Sequence, residues 1–144
     1  MINRELINPQ SIVVVGGSNN VHKPGGRLVR NLLDGKYKGE LYVVNAKEDD
    51  VQGLKSYHSV HDIPETELAI ISIPGPACPE AVDVLAKQKN VKAFIVISAG
   101  FGEETHEGAI LEEQMLKSIN EAGASLIGPN CIGLMNMNYH GVFT

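Results

Sequence analysis

Residues 11–33 read SIVVVGGSNNVHKPGGRLVRNLL and join a strand, a glycine-rich turn and a helix in one segment. The run 11–15 is short and β-branched, and Gly16 and Gly17 follow it directly, which is typical of a buried strand. Leucines and a valine then recur at helical spacing, and Gly35 is placed to end that helix. A strand that leads through such a turn into a helix indicates an α/β fold.

The same alternation continues along the rest of the chain. Apolar runs predict four more strands, at 41–44, 68–73, 93–97 and 125–127. Apolar residues at helical spacing predict a helix with Pro79 in its first turn and another over about 107–122. Strands that are apolar on both faces belong in a parallel sheet covered by helices on both sides. We therefore predict a Rossmann-like, doubly wound α/β fold with a mostly parallel five-stranded sheet, in one domain over residues 1–144.

Composition narrows the class of protein. The 144 residues suit one domain with one core, and 43% of them are hydrophobic. No apolar run approaches the roughly 20 residues of a membrane span, and the N-terminus lacks a signal-peptide pattern, so we expect a cytoplasmic protein without membrane contact. A formal net charge of −5 argues against nucleic-acid binding. Cys78 and Cys131 form no CxxC pair, so we expect free thiols and no metal site.

The segments after the predicted strands carry the candidate chemistry. In doubly wound sheets, ligands bind at the carboxyl ends of the strands, near the point where the strand order reverses. Each such segment here holds small, polar or proline residues, and the five segments are 16–27, 45–50, 74–78, 98–104 and 128–133. This clustering predicts a ligand site along one edge of the sheet.

The first of these segments either binds a phosphate or is a plain turn. Its backbone N–H groups and the positive end of the following helix could hold an anion. It is not the G-x-G-x-x-G fingerprint, because a longer insert separates Gly16 and Gly17 from Gly25 and Gly26. Nor is it a Walker A loop, since no Lys-Ser or Lys-Thr pair follows the glycines.

The second segment bears on which nucleotide fits. NAD-binding domains usually end strand two with an acidic residue that holds the ribose, whereas this chain has Asn45-Ala46-Lys47. Asparagine can hydrogen-bond a ribose without adding charge, and Lys47 can meet a phosphate. The pattern favours a nucleotide with a phosphate on its ribose, NADP or coenzyme A, over NAD. The alternative is that Lys47 is an ordinary solvated lysine.

Taken together and in this order, the segments resemble the CoA-binding domain of the succinyl-CoA synthetase alpha subunit. They resemble more closely that of the ADP-forming acyl-CoA (acetyl-CoA) synthetases. The matching pieces are VVVGGS (13–18), KPGGRLVRNLL (23–33), LYVVNAK (41–47), AIISIP (69–74), VKAFIVISAGFGE (91–103) and LIGPNCIGLMN (126–136). The resemblance covers nearly the whole chain. One departure is Ala46, where members of the family often have proline.

The resemblance implies a ligand, coenzyme A, and a set of residues that contact it from the segments after the strands. They are Gly16, Gly17 and Ser18 at the CoA phosphates, with Gly25 and Gly26 starting the helix behind them; Asn45 and Lys47 near the adenosine and its 3′-phosphate; Ile73 and Pro74 beside the nucleotide; Ser98, Ala99 and Gly100 along the pantetheine arm; and Pro129, Asn130 and Cys131 near the thiol end.

We assign no catalytic residue to this chain. In the resembling family the loop around Cys131 shapes the thiol end of CoA and is not the covalent catalyst. The sequence itself supports the same conclusion, because a nucleophilic cysteine requires a base and no histidine lies in the segment around Cys131. Glu103 and Glu104 stand near a predicted helix start, where acidic side chains offset the helix dipole, and are structural in this interpretation.

The family reaction requires parts that this chain has no room for. In the resembling enzymes, acid, CoA and ATP or GTP yield acyl-CoA through a phosphorylated histidine in a second domain, and an ATP-grasp unit binds the nucleotide. None of the five histidines here has that context. We therefore expect the N-terminal CoA-binding domain of a longer NDP-forming synthetase, inactive alone, with those domains or subunits as partners. Two alternatives are the CoA-binding module of a protein lysine acetyltransferase and a stand-alone regulatory protein that binds CoA or NADP.

Overall fold

The protein, described over residues 2–144 by a computed structural model, alternates strands and helices along the chain. Its strands are β1 (Ser11–Val15), β2 (Glu40–Val44), β3 (Asp50–Val51), β4 (Leu54–Tyr57), β5 (Leu68–Ile71), β6 (Ala93–Val96), β7 (Ser125–Ile127), β8 (Gly133–Met135) and β9 (His140–Val142). Its helices are α1 (Arg4–Ile7), α2 (Pro24–Asp34), α3 (Cys78–Gln88) and α4 (His106–Glu121), with a 3-10 turn at Gly75–Ala77.

The main sheet has the strand order β3-β4-β2-β1-β5-β6-β7. Its neighbouring strands are parallel except for the β3–β4 pair. The chain moves from β1 to one side through β2 and later to the other side through β5, so the order reverses between β1 and β5. Ligands bind at such a switch point in doubly wound folds. The predicted class, a Rossmann-like and mostly parallel α/β fold, is confirmed, and the five predicted strands are β1, β2, β5, β6 and β7.

A hairpin that the sequence analysis did not indicate extends the sheet beyond β2. β3 and β4 are joined by Gln52 and Gly53, both at positive φ (51° and 89°), which suits a tight two-residue turn. β4 then pairs in parallel with β2, so that Val43 lies opposite Ser56 and Val44 opposite Tyr57. The hairpin therefore brings the segment after β4 to the same edge of the sheet as the segment after β2.

Residues alternate between two apolar layers, one on each face of the sheet. Val13 and Val15 of β1 join the layer that α3 and α4 cover, whereas Ile12 and Val14 join the layer that α2 covers. Helices on both faces are thus confirmed. Within residues 2–144, no helix has both the length and the apolar character that a membrane crossing requires.

Two further elements that the sequence analysis did not indicate complete the α2 face. The short helix α1 buries Leu6, and the β8–β9 hairpin brings Tyr139 against it. The Tyr139 hydroxyl donates a hydrogen bond to the carbonyl oxygen of Leu6, and only 2% of this residue is exposed. The first and last segments of the described chain are thereby fastened to each other.

The turn between β1 and α2 passes very close to its neighbours. Gly16 has φ +93°, and a Cβ atom on it would lie 2.1 Å from the carbonyl oxygen of Ser72, just after β5. A Cβ on Gly25 would lie 1.9 Å from the carbonyl oxygen of Gly16. Both approaches are between backbones, so no side-chain rotation can relieve them. These glycines let the start of α2 sit directly against the end of β1.

Substituting Gly16 tests this close approach, with Gly53 as a matched control. Gly53 has nearly the same φ, +89°, but nothing lies within 4 Å of its added Cβ. We expect Gly53→Ala to lower the free energy of unfolding by about 1 kcal/mol, the cost of alanine at positive φ. Gly16→Ala must also displace backbone, and we expect it to lose about 2 kcal/mol more. Urea unfolding measures both, and equal losses would contradict the argument.

Candidate functional site

A cleft of about 470 Å³ opens at the carboxyl ends of β1, β2, β4 and β5. It therefore spans the switch point between β1 and β5. Four of the predicted ligand residues line it: Gly16, Asn45, Lys47 and Ile73. Its floor is apolar, with Val15, Val44 and Ala81 buried there, and its volume lies in the range of small-molecule sites.

The side chain of Asn45 joins two of the loops that border the cleft. Its Nδ2 atom donates to the carbonyl oxygen of Gly17 at 2.8 Å. Its Oδ1 atom accepts the backbone N–H groups of Lys47 at 2.9 Å and Glu48 at 3.0 Å. The amide is thus largely occupied by backbone partners, with one N–H left for other bonds. Its observed effect is to hold the backbone of Lys47 at the mouth of the cleft.

The other rim of the cleft comes from residues that the sequence analysis missed. His58, Ser59 and His61 follow β4 and line the cleft, as does Glu80 of α3. The backbone N–H of Asn45 donates to the carbonyl oxygen of Tyr57 at 2.9 Å, which sets His58 beside Asn45. The pair at the turn is Gln52-Gly53 and not one of the pairs that mark a hairpin strongly, such as Asn-Gly or Asp-Gly, so the signal in the sequence was weak.

The remaining residues of the first segment lie beside the cleft and serve the packing of α2. Gly17, Gly25 and Gly26 are buried. The Nε2 atom of Gln52 donates to the carbonyl oxygens of Ser18 and Gly26, both at 2.9 Å, and so ties the β3–β4 hairpin to this turn. These contacts account for the small residues of the segment by packing alone, and their contact with phosphate stays a prediction.

The predicted residues after β5, β6 and β7 form a separate strip along the same edge. The Ser98 hydroxyl accepts the N–H of Ile73 at 3.1 Å and donates to the carbonyl oxygen of the same residue. The N–H of Asn130 donates to the carbonyl oxygen of Ser98 at 3.0 Å. Three neighbouring loops are thus linked in series. The predicted residues on this strip are Pro74, Ser98, Ala99, Gly100, Pro129, Asn130 and Cys131.

Glu103 acts within its own loop. Its Oε1 atom accepts the N–H groups of Gly100 at 3.0 Å and Phe101 at 3.3 Å. Hydrogen bonds from backbone N–H groups, its own first among them, lower the pKa of this carboxyl. The structural interpretation of Glu103 therefore agrees with its contacts, and α4 begins beyond it, with the Thr105 side chain accepting the N–H of Gly108 at 2.9 Å.

Neither cysteine has the surroundings of an activated nucleophile. Cys78 is fully buried and Cys131 half-buried, and both are free thiols. Burial raises the pKa of each thiol above its ordinary value. The Cys131 thiol donates to the carbonyl oxygen of Val96 at 3.4 Å. Among residues 2–144, no cluster of three His, Cys, Asp or Glu side chains could hold a metal ion.

A family model described as "CoA binding domain" matches residues 10–137. The chain belongs to that family. The family is thus the one that the motifs indicated, and coenzyme A is the ligand for which it is described.

Two ADP-forming acetate–CoA ligases are similar to this chain in sequence. The chain is 39% identical to acetate–CoA ligase [ADP-forming] II of Archaeoglobus fulgidus over 92% of this chain and 20% of the relative. It is 40% identical to the alpha subunit of acetate–CoA ligase [ADP-forming] II of Pyrococcus furiosus, over 91% of this chain and 28% of the relative. A solved structure of the dinucleotide-forming acetyl-coenzyme A synthetase 1 of Ca. Korarchaeum cryptofilum superposes with a TM-score of 0.89 at 34% identity. That match covers 97% of this chain and 31% of the solved one. The chain thus spans less than a third of the length of these relatives.

The raised pKa values of the two thiols predict that a disulfide reagent modifies both slowly, and Cys131 before Cys78. At pH 7.5 we expect Cys131 to react more slowly than free cysteine, because less of it is thiolate. Its rate should still climb above pH 8.5, the region where free cysteine levels off. Cys78, being buried, should react about 100-fold more slowly again, since it must await opening of the fold.

Single-cysteine variants assign the two rates. Cys78→Ala leaves only Cys131, and Cys131→Ala leaves only Cys78. A Cys131 rate that is fast and flat from pH 6 upward would mean a stabilised thiolate, and would overturn the conclusion that this loop holds no nucleophile.

Proposed function

We propose that this chain binds coenzyme A along the carboxyl edge of its sheet, as the N-terminal domain of an ADP-forming acyl-CoA synthetase. The observation that carries the proposal is the convergence of Gly16, Asn45, Lys47 and Ile73 on one cleft at the switch point. Those four residues follow three different strands, β1, β2 and β5, and all four belong to the set of ligand residues expected from the sequence. Membership of the CoA binding domain family supports the same ligand.

The cleft suits the nucleotide end of CoA. An apolar floor accommodates a purine ring, and the mouth offers a cation at Lys47 for the 3′-phosphate. Lys47 is exposed, so its ammonium can meet a phosphate without the penalty of burying a charge. The turn that contains Gly16 and Gly17 borders the same cleft, and its backbone N–H groups are the candidates for the diphosphate.

The strip beyond β5 suits the pantetheine arm. Neighbouring strands lie about 4.8 Å apart, so the four steps from β2 to β7 cover about 19 Å along the edge. Ser98, Ala99 and Gly100 present small side chains on that path, and Pro129, Asn130 and Cys131 stand at its far end. In this arrangement the thiol end of CoA lies near Cys131, which shapes the site without reacting.

The chemistry itself is proposed to reside elsewhere in the complete protein. The relatives are more than three times as long as the segment matched here. A phosphohistidine domain and an ATP-grasp unit, on the same chain or a partner subunit, would carry phosphoryl transfer and activate the acid. This chain supplies CoA in a fixed orientation, with its thiol end toward those partners. It is expected to be inactive on its own.

Calorimetric titration with CoA, dephospho-CoA and NADP tests the proposal. We expect saturable binding of CoA and weaker binding of dephospho-CoA, which lacks the 3′-phosphate. Lys47→Ala should weaken CoA binding about fivefold, the upper range for an exposed ion pair, and leave dephospho-CoA within about twofold. The loss for CoA alone would place Lys47 at the 3′-phosphate.

Lys38→Ala is the matched control, because Lys38 is equally exposed but precedes β2 at the opposite end of the sheet. It should change neither affinity. Binding of NADP without CoA would contradict the proposal in favour of an NADP-linked regulatory protein. An equal loss of CoA affinity in the Lys38 and Lys47 variants would mean that Lys47 acts only through the net charge of the protein.

A further inference from the structure

The cleft has a rim of titratable side chains that its proposed ligand would meet directly. His58 and His61 both line it, as does Lys47. We propose that these two histidines are further phosphate-binding residues, which together with Lys47 form a cationic rim whose charge depends on pH. This rests on the proposed function, since the phosphate concerned is the 3′-phosphate of CoA.

The strand register places the histidines within reach of the same anion as Lys47. β2 and β4 are paired in parallel, with Val44 opposite Tyr57. One residue further on, Asn45 and His58 are therefore neighbours at a strand spacing of about 4.8 Å. Lys47 lies two residues beyond Asn45, and its backbone is held there by the Asn45 side chain. A ligand group at the mouth of the cleft would touch both segments.

A tight turn presents the second histidine. The N–H of His61 donates to the hydroxyl of Ser59 at 3.2 Å, and the N–H of Asp62 donates to the carbonyl oxygen of Ser59 at 3.1 Å. The backbone after β4 is thus curled so that His58 and His61 stand on one side of it, both lining the cleft. Both rings are exposed and can turn toward a ligand.

Carboxylates surround this rim and make its charge sensitive to the imidazoles. His58 is paired with Asp49, with 2.8 Å between Nε2 and Oδ1, and Asp62 follows His61. Among the lining side chains, Lys47 contributes +1 and Glu80 contributes −1. With neutral imidazoles the formal charge of the lining is therefore zero, and with both protonated it is +2. A phosphate monoester carries about −1.5 to −2 at pH 7, so the protonated rim matches it in charge.

Breaking the ion pair between His58 and Asp49 costs little free energy. Asp49 has a side chain that is 92% exposed, and exposed ion pairs of this kind contribute little to stability. Without a ligand, Asp49 holds the ring near the cleft. With a phosphate present, the imidazolium can exchange the exposed carboxylate of Asp49 for a doubly charged partner, which strengthens the interaction.

The sign of the pH effect follows from the charge. A protonated imidazole is a cation and a neutral one is not, so the extra cations are present at low pH and are lost as pH rises. The histidines should therefore strengthen CoA binding at pH 6 and contribute little at pH 8.5. Each exposed imidazolium should strengthen binding about threefold, and the pair about tenfold.

The test compares the wild type with the double variant His58→Gln and His61→Gln by calorimetric titration at both pH values. Glutamine keeps a polar side chain of similar size but carries no charge. We expect the double variant to bind CoA about tenfold more weakly at pH 6 and within about twofold at pH 8.5. Taking the ratio of the two proteins at each pH cancels the titration of the phosphate itself. For dephospho-CoA the ratio should stay within about twofold at both.

His106→Gln is the matched control, because His106 is an exposed histidine at the start of α4, outside the cleft lining. It should bind CoA as the wild type does. A second readout is proton uptake on CoA binding, measured in buffers of different ionisation enthalpy. At pH 7 the wild type should take up more protons than the double variant.

The outcomes separate this inference from the function on which it rests. If wild type binds CoA and Lys47→Ala weakens it, but the double variant keeps full affinity at pH 6, the histidines do not contact the phosphate and only this inference is wrong. An equal loss at pH 6 and pH 8.5, or an equal loss for dephospho-CoA, also overturns it. If wild type binds CoA at neither pH, the proposed function fails together with it.

Discussion

The arrangement of the site depends on one close backbone contact, between Gly16 at the end of β1 and Ser72 just after β5. A Cβ atom between them would lie 2.1 Å from the Ser72 carbonyl oxygen. Because no side chain fits there, β1 and β5 end side by side. The chain continues from β1 toward β2 and from β5 toward β6, in opposite directions along the sheet. The cleft is the space that this divergence opens, and its lining follows from which strands flank β1.

Side chains that bond to backbone keep the surrounding loops in place. Asn45 links the loops after β1 and β2, Gln52 links the β3–β4 hairpin to the α2 turn, and Ser98 links the loops after β5 and β6. Each bond satisfies a backbone group that would otherwise depend on water or on a ligand. The edge is therefore preorganised, so a ligand need not order five separate loops when it binds. Preorganisation of this kind improves affinity by lowering the entropic cost of association.

The parts of the fold that could be predicted are those in which one physical signal dominates. β1, β5 and β6 are apolar on both faces because helices cover both sides, and continuous β-branched runs reveal such strands directly. The β3–β4 hairpin gave no comparable signal, because its strands are short, half-exposed and partly charged. Missing β4 meant missing His58 and His61, since a histidine in an unassigned segment cannot be placed at a strand end. α1 and the β8–β9 hairpin were missed for a related reason: Leu6 and Tyr139 share a buried cluster and a hydrogen bond although they are far apart in the sequence.

For single residues, the sequence located positions better than it distinguished their functions. Asn45 and Ser98 were expected beside the ligand, and they do lie on the predicted edge, yet most of their polar atoms are bonded to backbone. A polar side chain after a strand looks the same in sequence whether it meets a ligand or closes a loop. Charge is more informative, because a lysine ammonium cannot accept a backbone N–H and needs an anion, a carbonyl oxygen or water. In a chain of net charge −5, a polyanion cannot be held by the overall field. Its recognition must come from the few cations and backbone N–H groups that face the cleft, over distances shorter than the screening length of about 8 Å.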